Sequence, residues 1–409
     1  MSERPIIIIG AGHGGVQAAA SLREEGYEGP LVLLSADRHA PYQRPPLSKA
    51  YIKGEASADS LILRGPAFYT ENRIALRLGE AAASIDRAAQ RVTLTSGEQI
   101  DYAHLILATG ADPRPAPFAG AQLPGVHVLR DMDDAERLKQ GLGAARSVVI
   151  IGAGFIGLEF AATAALKGVE THVVEVAPRV MGRAISQPMS AFFAGEHRKF
   201  GVRLHLGAGV AAIEDAGAGA RRVTLSDGTQ ITAGLALVGI GIVASEGLAK
   251  AAGLAVDNGV VVDSAMTTSD PHISAIGDCA SHPNLFAGRR IRLESVQNAV
   301  DQARVVARKL TAKPAQYDAL PWFWSDQGDL KLQIAGILGE ADVFVTRGDP
   351  EQRAFSVFAF KDGRLKAVES VNRGADHMMA RRLIAANAAL TPQEAGDPAF
   401  DLKARAMGR

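Results

Sequence analysis

Two glycine clusters have the clearest chemical purpose in this chain. Gly10-Ala11-Gly12-His13-Gly14-Gly15 and Gly152-Ala153-Gly154-Phe155-Ile156-Gly157 both fit G-x-G-x-x-G. At that spacing a glycine turn lets the backbone approach a pyrophosphate, and the following helix presents its positive amino terminus to the charge. Glu175 follows Gly154 by 21 residues, near the ~20 expected for an acid that binds a ribose 2′-hydroxyl. That acid repels a 2′-phosphate and no arginine adjoins it, so the second site favours NADH over NADPH. In the first copy the counterpart of Glu175 is Ser35, with Asp37 two positions later. Asp37 reads either as the ribose acid or as an exposed loop carboxylate. Two dinucleotide sites in one chain imply electrons passing between two cofactors, most simply nicotinamide and flavin.

The elements that must hold these residues repeat as well. An apolar run, Ile6 to Ile9, leads into the first glycines, an Ala-rich helical segment covers Val16 to Glu25, and a second apolar run covers Leu31 to Leu34. This β-α-β order predicts a parallel sheet. It recurs from Val148 through a helix to Lys167 and a strand at Thr171 to Val174. Residues 91–110 align without gaps against 222–241, with eight of twenty positions identical. Each reads as a hairpin turned at Ser-Gly or Asp-Gly, then a buried strand ending in glycine, Gly110 or Gly241. The fold class is therefore α/β, with two duplicated dinucleotide-binding, Rossmann-like domains. Three prolines between Ala111 and Phe118 mark a linker, and both tryptophans with alternating strand-like runs after Trp322 mark an α+β carboxy-terminal domain. The expected boundaries are 1–113 and 242–320 for one nucleotide domain, 114–241 for the other, and 321–409 for the third.

Composition narrows the function classes. The chain has 409 residues with 44 basic and 44 acidic side chains, so no whole-chain charge draws it to nucleic acid. Cys279 is the single cysteine, which rules out an internal disulfide, a four-cysteine zinc site and an in-chain dithiol relay. No histidine cluster suggests a metal. The apolar stretch 147–166 carries glycines and Glu159 and reads as buried strand and helix, not as a membrane span. No leader is visible at the start, so a cytoplasmic location is expected.

Together, these fingerprints, Ala108-Thr109-Gly110, Thr268 and the run His272 to Asp278 resemble the two-dinucleotide flavoprotein reductases. The stretch 41–50 (PYQRPPLSKA), the F-I-G-L-E form of the second fingerprint, Gly277-Asp278-Cys279, the run Glu294 to Ala299 and the run Trp322 to Gln327 are similar to the NADH-dependent ferredoxin reductases. These include the putidaredoxin reductase type and the reductases of aromatic dioxygenases. The resemblance implies FAD in a split domain, NADH in an inserted one, and a third domain closing one side of the flavin. Gly10, Gly12, Gly14 and Gly15 would cradle the FAD pyrophosphate, with Asp37 near its ribose and the Ala82 backbone near the adenine. Arg44 and Lys49 would lie along the flavin, and Thr109, Gly110 and Arg130 along the cofactor. Asp278 would bind the ribityl chain, and the Val296 backbone the ring edge. Gly152, Gly154, Phe155, Ile156, Gly157 and Gly241 would form the NADH cradle, and Glu175 and Arg183 would serve its adenosine ribose.

Two charges stand out as catalytic candidates under this resemblance. Lys49 would stabilise negative charge gathered on flavin reduction; otherwise it is a surface lysine after a Pro-Pro turn. Glu159, near the start of a helix, reads as a structural acid favoured by the dipole or as a nicotinamide contact paired with Lys49, with Phe155 as a movable cover. Trp324 reads as a flavin neighbour or a core residue. No redox cysteine stands in the Arg44-Pro45-Pro46-Leu47 region, and Cys279 reads as a small packing residue. The expected activity passes electrons from NADH through FAD to a [2Fe-2S] ferredoxin, and thence to a cytochrome P450 or a Rieske oxygenase. Arg289, Arg290, Arg292, Arg304, Arg308 and Lys309 are candidates for meeting an acidic ferredoxin. The rivals are an NADH oxidase or diaphorase and a nicotinamide-sensing interaction protein.

Overall fold

The computed structural model describes residues 4–408. Its backbone divides into two compact units. The first holds the residues up to Arg44, Ala58–Asp112 and Ile242–Ala319; the second holds Pro45–Ser57, Pro113–Gly241 and everything from Leu320. The segment that carries Lys49 therefore belongs with the second unit.

The first unit is built on a five-stranded sheet, with Ile6–Ile9 at its centre. On one side lie Leu31–Ser35 and then Ile74–Leu78, on the other His104–Leu107 and then Ile273–Ala275, all parallel. The central strand is a run of four buried isoleucines, as a strand covered on both faces requires. The helix His13–Glu24 starts directly on the fingerprint, three residues earlier than its Ala-rich composition indicates, because Gly14 and Gly15 belong to its first turn. It packs beside the long helix Val296–Leu310. A Cβ on Gly14 would lie 3.5 Å from that of Ala299, so the small residue sets the close approach. Where the chain leaves and re-enters the unit, Ala111–Pro113 pairs with Ile242–Ala244. The proline-rich linker thus begins in a short strand.

The second unit repeats the plan. Its parallel sheet runs Arg203–Leu206, Glu170–Glu175, Ser147–Ile151, Leu235–Val238 and Val126–His127. The helix Phe155–Leu166 follows its central strand and is buried nearly all round. In both repeats the buried strand stops three residues before the glycine, at Leu107 and Val238, leaving Ala108–Gly110 and Gly239–Gly241 as turns. The carboxy-terminal part is a five-stranded antiparallel sheet backed by the helix Gly374–Ala385. Its strand Trp322–Gln327 alternates faces: Phe323, Ser325 and Gln327 point to the nucleotide-binding part of the same unit, against Phe155, Glu159 and His197. Among the described residues no helix is long and apolar enough to cross a membrane.

Candidate functional site

In the first unit the glycine turn lies at the carboxyl end of the central strand. Gly10 has φ +107°, and a Cβ there would stand 2.2 Å from Ala108 O; at Gly15 it would stand 1.8 Å from Gly10 O. These two positions admit glycine alone. Gly12 differs: nothing lies within 4 Å of its Cβ direction, so the turn faces open space there. The helix after it has Gly12 as its N-cap, with no capping side chain and no acid in its first turn. The helices Met132–Ala144, Gln187–Lys199 and Val296–Leu310 are capped by Asp131, Ser186 and Ser295. The fingerprint helix thus keeps unpaired N–H groups at its start, which suits the pyrophosphate of FAD.

The other expected FAD residues of this unit gather on the turns at the same end of the sheet. Thr109 donates its hydroxyl to Ser245 O at 2.8 Å, and Gly110 has φ +73°. Asp278 stands in the turn after Ile273–Ala275, and its carbonyl accepts from Arg292 at 3.1 Å. Val296 is the first residue of its helix, so its N–H has no intrahelical acceptor. Gln302 ties the last two together, a role its position in an ordinary helical stretch does not advertise. Its Oε1 accepts the Gly277 N–H at 2.7 Å, while its Nε2 donates to Asn298 Oδ1 at 3.0 Å. Asp37 folds back into its own loop, where its carboxylate accepts from the His39 N–H and the Tyr42 hydroxyl, both at 2.9 Å. Arg44 stacks over the Tyr42 ring at 5.5 Å. Together with burial, its charge holds His13 down to about 4, so that imidazole is neutral near pH 7. Ala82 opens an edge strand opposite Leu94.

Cys279 is fully buried, with its thiol 3.2 Å from Ile276 O. Burial pushes its pKa up, keeping it the protonated thiol and a poor nucleophile. Most of the basic candidates are engaged. Arg290 donates to Val262 O and Ser281 O, Arg292 pairs with Glu294, Lys309 reaches Thr267, and Arg308 donates to Pro314 O. Arg289 bonds its neighbour's carbonyl. Arg304 is exposed, paired with Asp301 one helical turn earlier.

The second unit has the same cradle with one difference. Cβ atoms on Gly152 and Gly157 would stand 2.3 and 2.2 Å from the carbonyls of Gly239 and Gly152, and Gly154 faces open space. Gly154 caps a helix that again has no capping side chain. Ile151 lies opposite Val174 as Ile9 lies opposite Leu34, which makes Glu175 and Ser35 equivalent. Glu175 accepts the N–H groups of Ala153 and Ala177, both at 2.8 Å, so its carboxylate is fixed against the fingerprint turn. Arg183 is exposed on the loop after Glu175, its guanidinium 3.6 Å from the Cβ direction of Gly241. Ile156 is exposed beside the turn. Arg130 lends its N–H to Asp134 at 2.9 Å.

Beneath this cradle lies a buried charge cluster. Glu159 is 4% exposed, and Lys49 Nζ approaches its Oε1 at 3.0 Å. Two hydroxyls complete the shell: Ser48 donates to Oε2 at 2.5 Å and Ser325 to Oε1 at 2.6 Å. Burial pushes the Glu159 pKa up, while Lys49 and the two serines pull it back. Both serines lie inside motifs that carry the family resemblance, yet sequence reasoning misses them as ligands of this acid. Strand alternation flags Ser325, because a polar residue between inward-facing Phe323 and Gln327 needs a buried partner. The Phe155 ring packs on Phe323 at 4.7 Å. Trp324 points to the opposite face, half-buried and 5.6 Å from Trp322, which takes it out of the core that meets Glu159.

The family model for pyridine nucleotide-disulphide oxidoreductases matches residues 4–303, and the reductase C-terminal model matches residues 322–406. Rhodocoxin reductase of Rhodococcus erythropolis is 48% identical over 398 residues, covering 97% of this chain and 93% of that protein. The crystal structure of the ferredoxin reductase for the CYP199A2 system from Rhodopseudomonas palustris superposes with a TM-score of 0.96 at 47% identity, over 98% and 99% of the two chains. The reductase in the covalent putidaredoxin reductase–putidaredoxin complex gives the same TM-score at 38% identity, over 100% and 99%. The chain belongs to the pyridine nucleotide-disulphide oxidoreductase family, among the FAD-dependent, NAD(P)H-using ferredoxin reductases that carry the reductase C-terminal domain.

Proposed function

We propose that this reductase takes its electrons from NADH and delivers them singly to a [2Fe-2S] ferredoxin, which serves a cytochrome P450 or a Rieske oxygenase in the cytoplasm. Bound FAD supplies the chemistry, accepting a hydride and releasing two separate electrons. The chain's own residues bind, orient and tune. The observation that carries the reading is the pair of uncapped glycine cradles, of which the second alone has an acid fixed against it.

Glu175 accepts a ribose hydroxyl of NADH with the lone pairs its two backbone donors leave open, and it repels the phosphate of NADPH. Glu159 accepts the nicotinamide carboxamide N–H, and Lys49, 3.0 Å away, opposes the upward push of burial on that acid's pKa. Lys49 also offers positive charge before the reaction begins, so no solvent has to reorganise around it. Hydride transfer needs no general acid or base, and the buried Cys279 thiol stays outside the chemistry. The kinship with reductases named for rhodocoxin, putidaredoxin and a CYP199A2 system supports an iron-sulfur protein as acceptor.

The test is reduction of cytochrome c by NADH or NADPH, with and without a [2Fe-2S] ferredoxin. The expected result is NADH-driven turnover that rises at least tenfold with the ferredoxin. Equal rates in its absence identify a diaphorase instead. A slow reduction that leaves a long-lived charge-transfer band identifies a nicotinamide sensor.

A further inference from the structure

The loop between Glu175 and the helix Gln187–Lys199 carries Arg183 and wraps the second cradle. Its middle is pinned to the fingerprint, where the Met181 N–H donates to Ala153 O at 2.9 Å. Arg179 braces it from within, donating to the carbonyls of Gly182 at 2.5 Å and Ile185 at 2.8 Å. Its far end, Ser186, is held from elsewhere in the same unit. Glu369, on the strand Arg364–Val371 of the carboxy-terminal sheet, accepts the Ser186 N–H on Oε1 at 2.8 Å and the Ser186 hydroxyl on Oε2. That hydroxyl in turn accepts the Met189 N–H at 3.3 Å and so caps the helix.

Glu369 is fully buried, and its cross-strand neighbours are Ile334 and Val357. A carboxylate here costs stability that a leucine would not. Its two bonds, both to Ser186, point to a reason for keeping it.

We propose that Glu369 is a positioning residue for NADH, which clasps Ser186 and so holds the loop in the shape that sets Arg183 beside Gly241. The inference rests on the reading that the second cradle, Glu175 and Arg183 bind NADH. Ionised, the carboxylate accepts both Ser186 donors; protonated, it replaces one acceptor with a donor of its own, and the clasp loosens. Burial pushes its pKa up to about 7 against the pull of Ser186 and of Arg179, the charged neighbour that the loop brings to it. The strands on either side bring apolar partners opposite it. The clasp therefore switches near neutral pH, tightening above 7 and loosening below.

The experiment measures KM and kcat for NADH on the FAD-loaded enzyme from pH 6 to 8.5, with ferricyanide as acceptor. In the wild type KM falls roughly three- to tenfold as pH rises through 7, the range expected when one ordinary hydrogen bond is lost, and kcat moves less than twofold. Glu369→Gln keeps the shape without the titration and flattens the KM profile. Ser186→Ala removes a donor to the ionised form and moves the midpoint upward; it keeps the test alive if the first variant folds poorly. A pH step that survives Glu369→Gln, or an unmoved midpoint in Ser186→Ala, overturns the proposal alone. Glu175→Gln checks the reading beneath it: KM rises at every pH, and an unchanged KM overturns the nucleotide assignment together with the proposal.

Discussion

The two dinucleotide cradles of this chain share a backbone and differ in the residues that succeed their second strand. Both turns admit only glycine at the first position and at the helix contact, and both face open space between them. After the strand they diverge. The first copy ends in Ser35, and the loop beyond it is closed by its own Asp37 on His39 and Tyr42. The second ends in Glu175, fixed on the fingerprint, and the far end of its loop is closed by Glu369 from another sheet. Steric rules shape the phosphate site and so repeat. In the proposed function the polar contacts after the strand select the nucleotide, and these diverge.

The strongest way to break this comparison is to damage each cradle alone. Gly10→Ala forces a Cβ into the Ala108 carbonyl at a residue with positive φ, so the protein is expected to purify without its yellow colour, read as absorbance near 450 nm per chain. Gly157→Ala is expected to keep the colour and lose reduction by NADH. Matching loss of flavin in both variants would mean that the cradles are not specialised.

Next in size is Glu159→Leu, which strands Lys49 beside apolar surface. Removing one partner of a buried pair costs about 3–5 kcal/mol, so a large fall in thermal midpoint and at least a tenfold loss of kcat are expected. Glu159→Gln should recover most of the stability and little of the rate. Full kcat in Glu159→Gln would remove the charge from the mechanism.

Glu369 sharpens the comparison through pH. Burial raises its folded pKa from the ordinary 4.5 to about 7, so the folded protein keeps a proton that the unfolded chain has released. Stability from this group is complete below about 4.5 and is lost as pH rises through 7, a difference of roughly 3 kcal/mol. Glu369→Gln is thus expected to gain stability over the wild type at pH 8 relative to pH 5 in denaturant titrations. An equal offset at both pH values would contradict that assignment.

Glu175→Gln should reduce the preference for NADH over NADPH by roughly 10- to 100-fold, the range for one hydrogen bond to a charged group, about 1.5–3 kcal/mol. Cys279→Ser is the smallest change expected, with kcat within twofold, because the thiol is buried and protonated.

Much of this architecture is legible in the chain because local rules set it. Glycine spacing marks both turns, and alternation and apolar runs mark the strands beside them. Composition places the helix start too late, because Gly14 and Gly15 are poor helix formers; close packing, of Gly14 against Ala299 and of Gly15 against the Gly10 carbonyl, overrides their propensity. Ser48, Ser325, Gln302 and Glu369 act through partners 25 to 183 positions away, a distance no local pattern reaches. The engagement of Arg290 and Arg308 with backbone carbonyls is equally invisible to local pattern, because those acceptors belong to other segments.

The most direct measurement of the central claim is an anaerobic titration of the FAD-loaded protein with NADH, then with NADPH, followed by oxidised [2Fe-2S] ferredoxin. The account predicts bleaching by one equivalent of NADH, far slower bleaching by NADPH, and return of the colour as two equivalents of ferredoxin are reduced. Material that stays colourless after flavin is supplied, or that bleaches equally fast with both nucleotides, would contradict it.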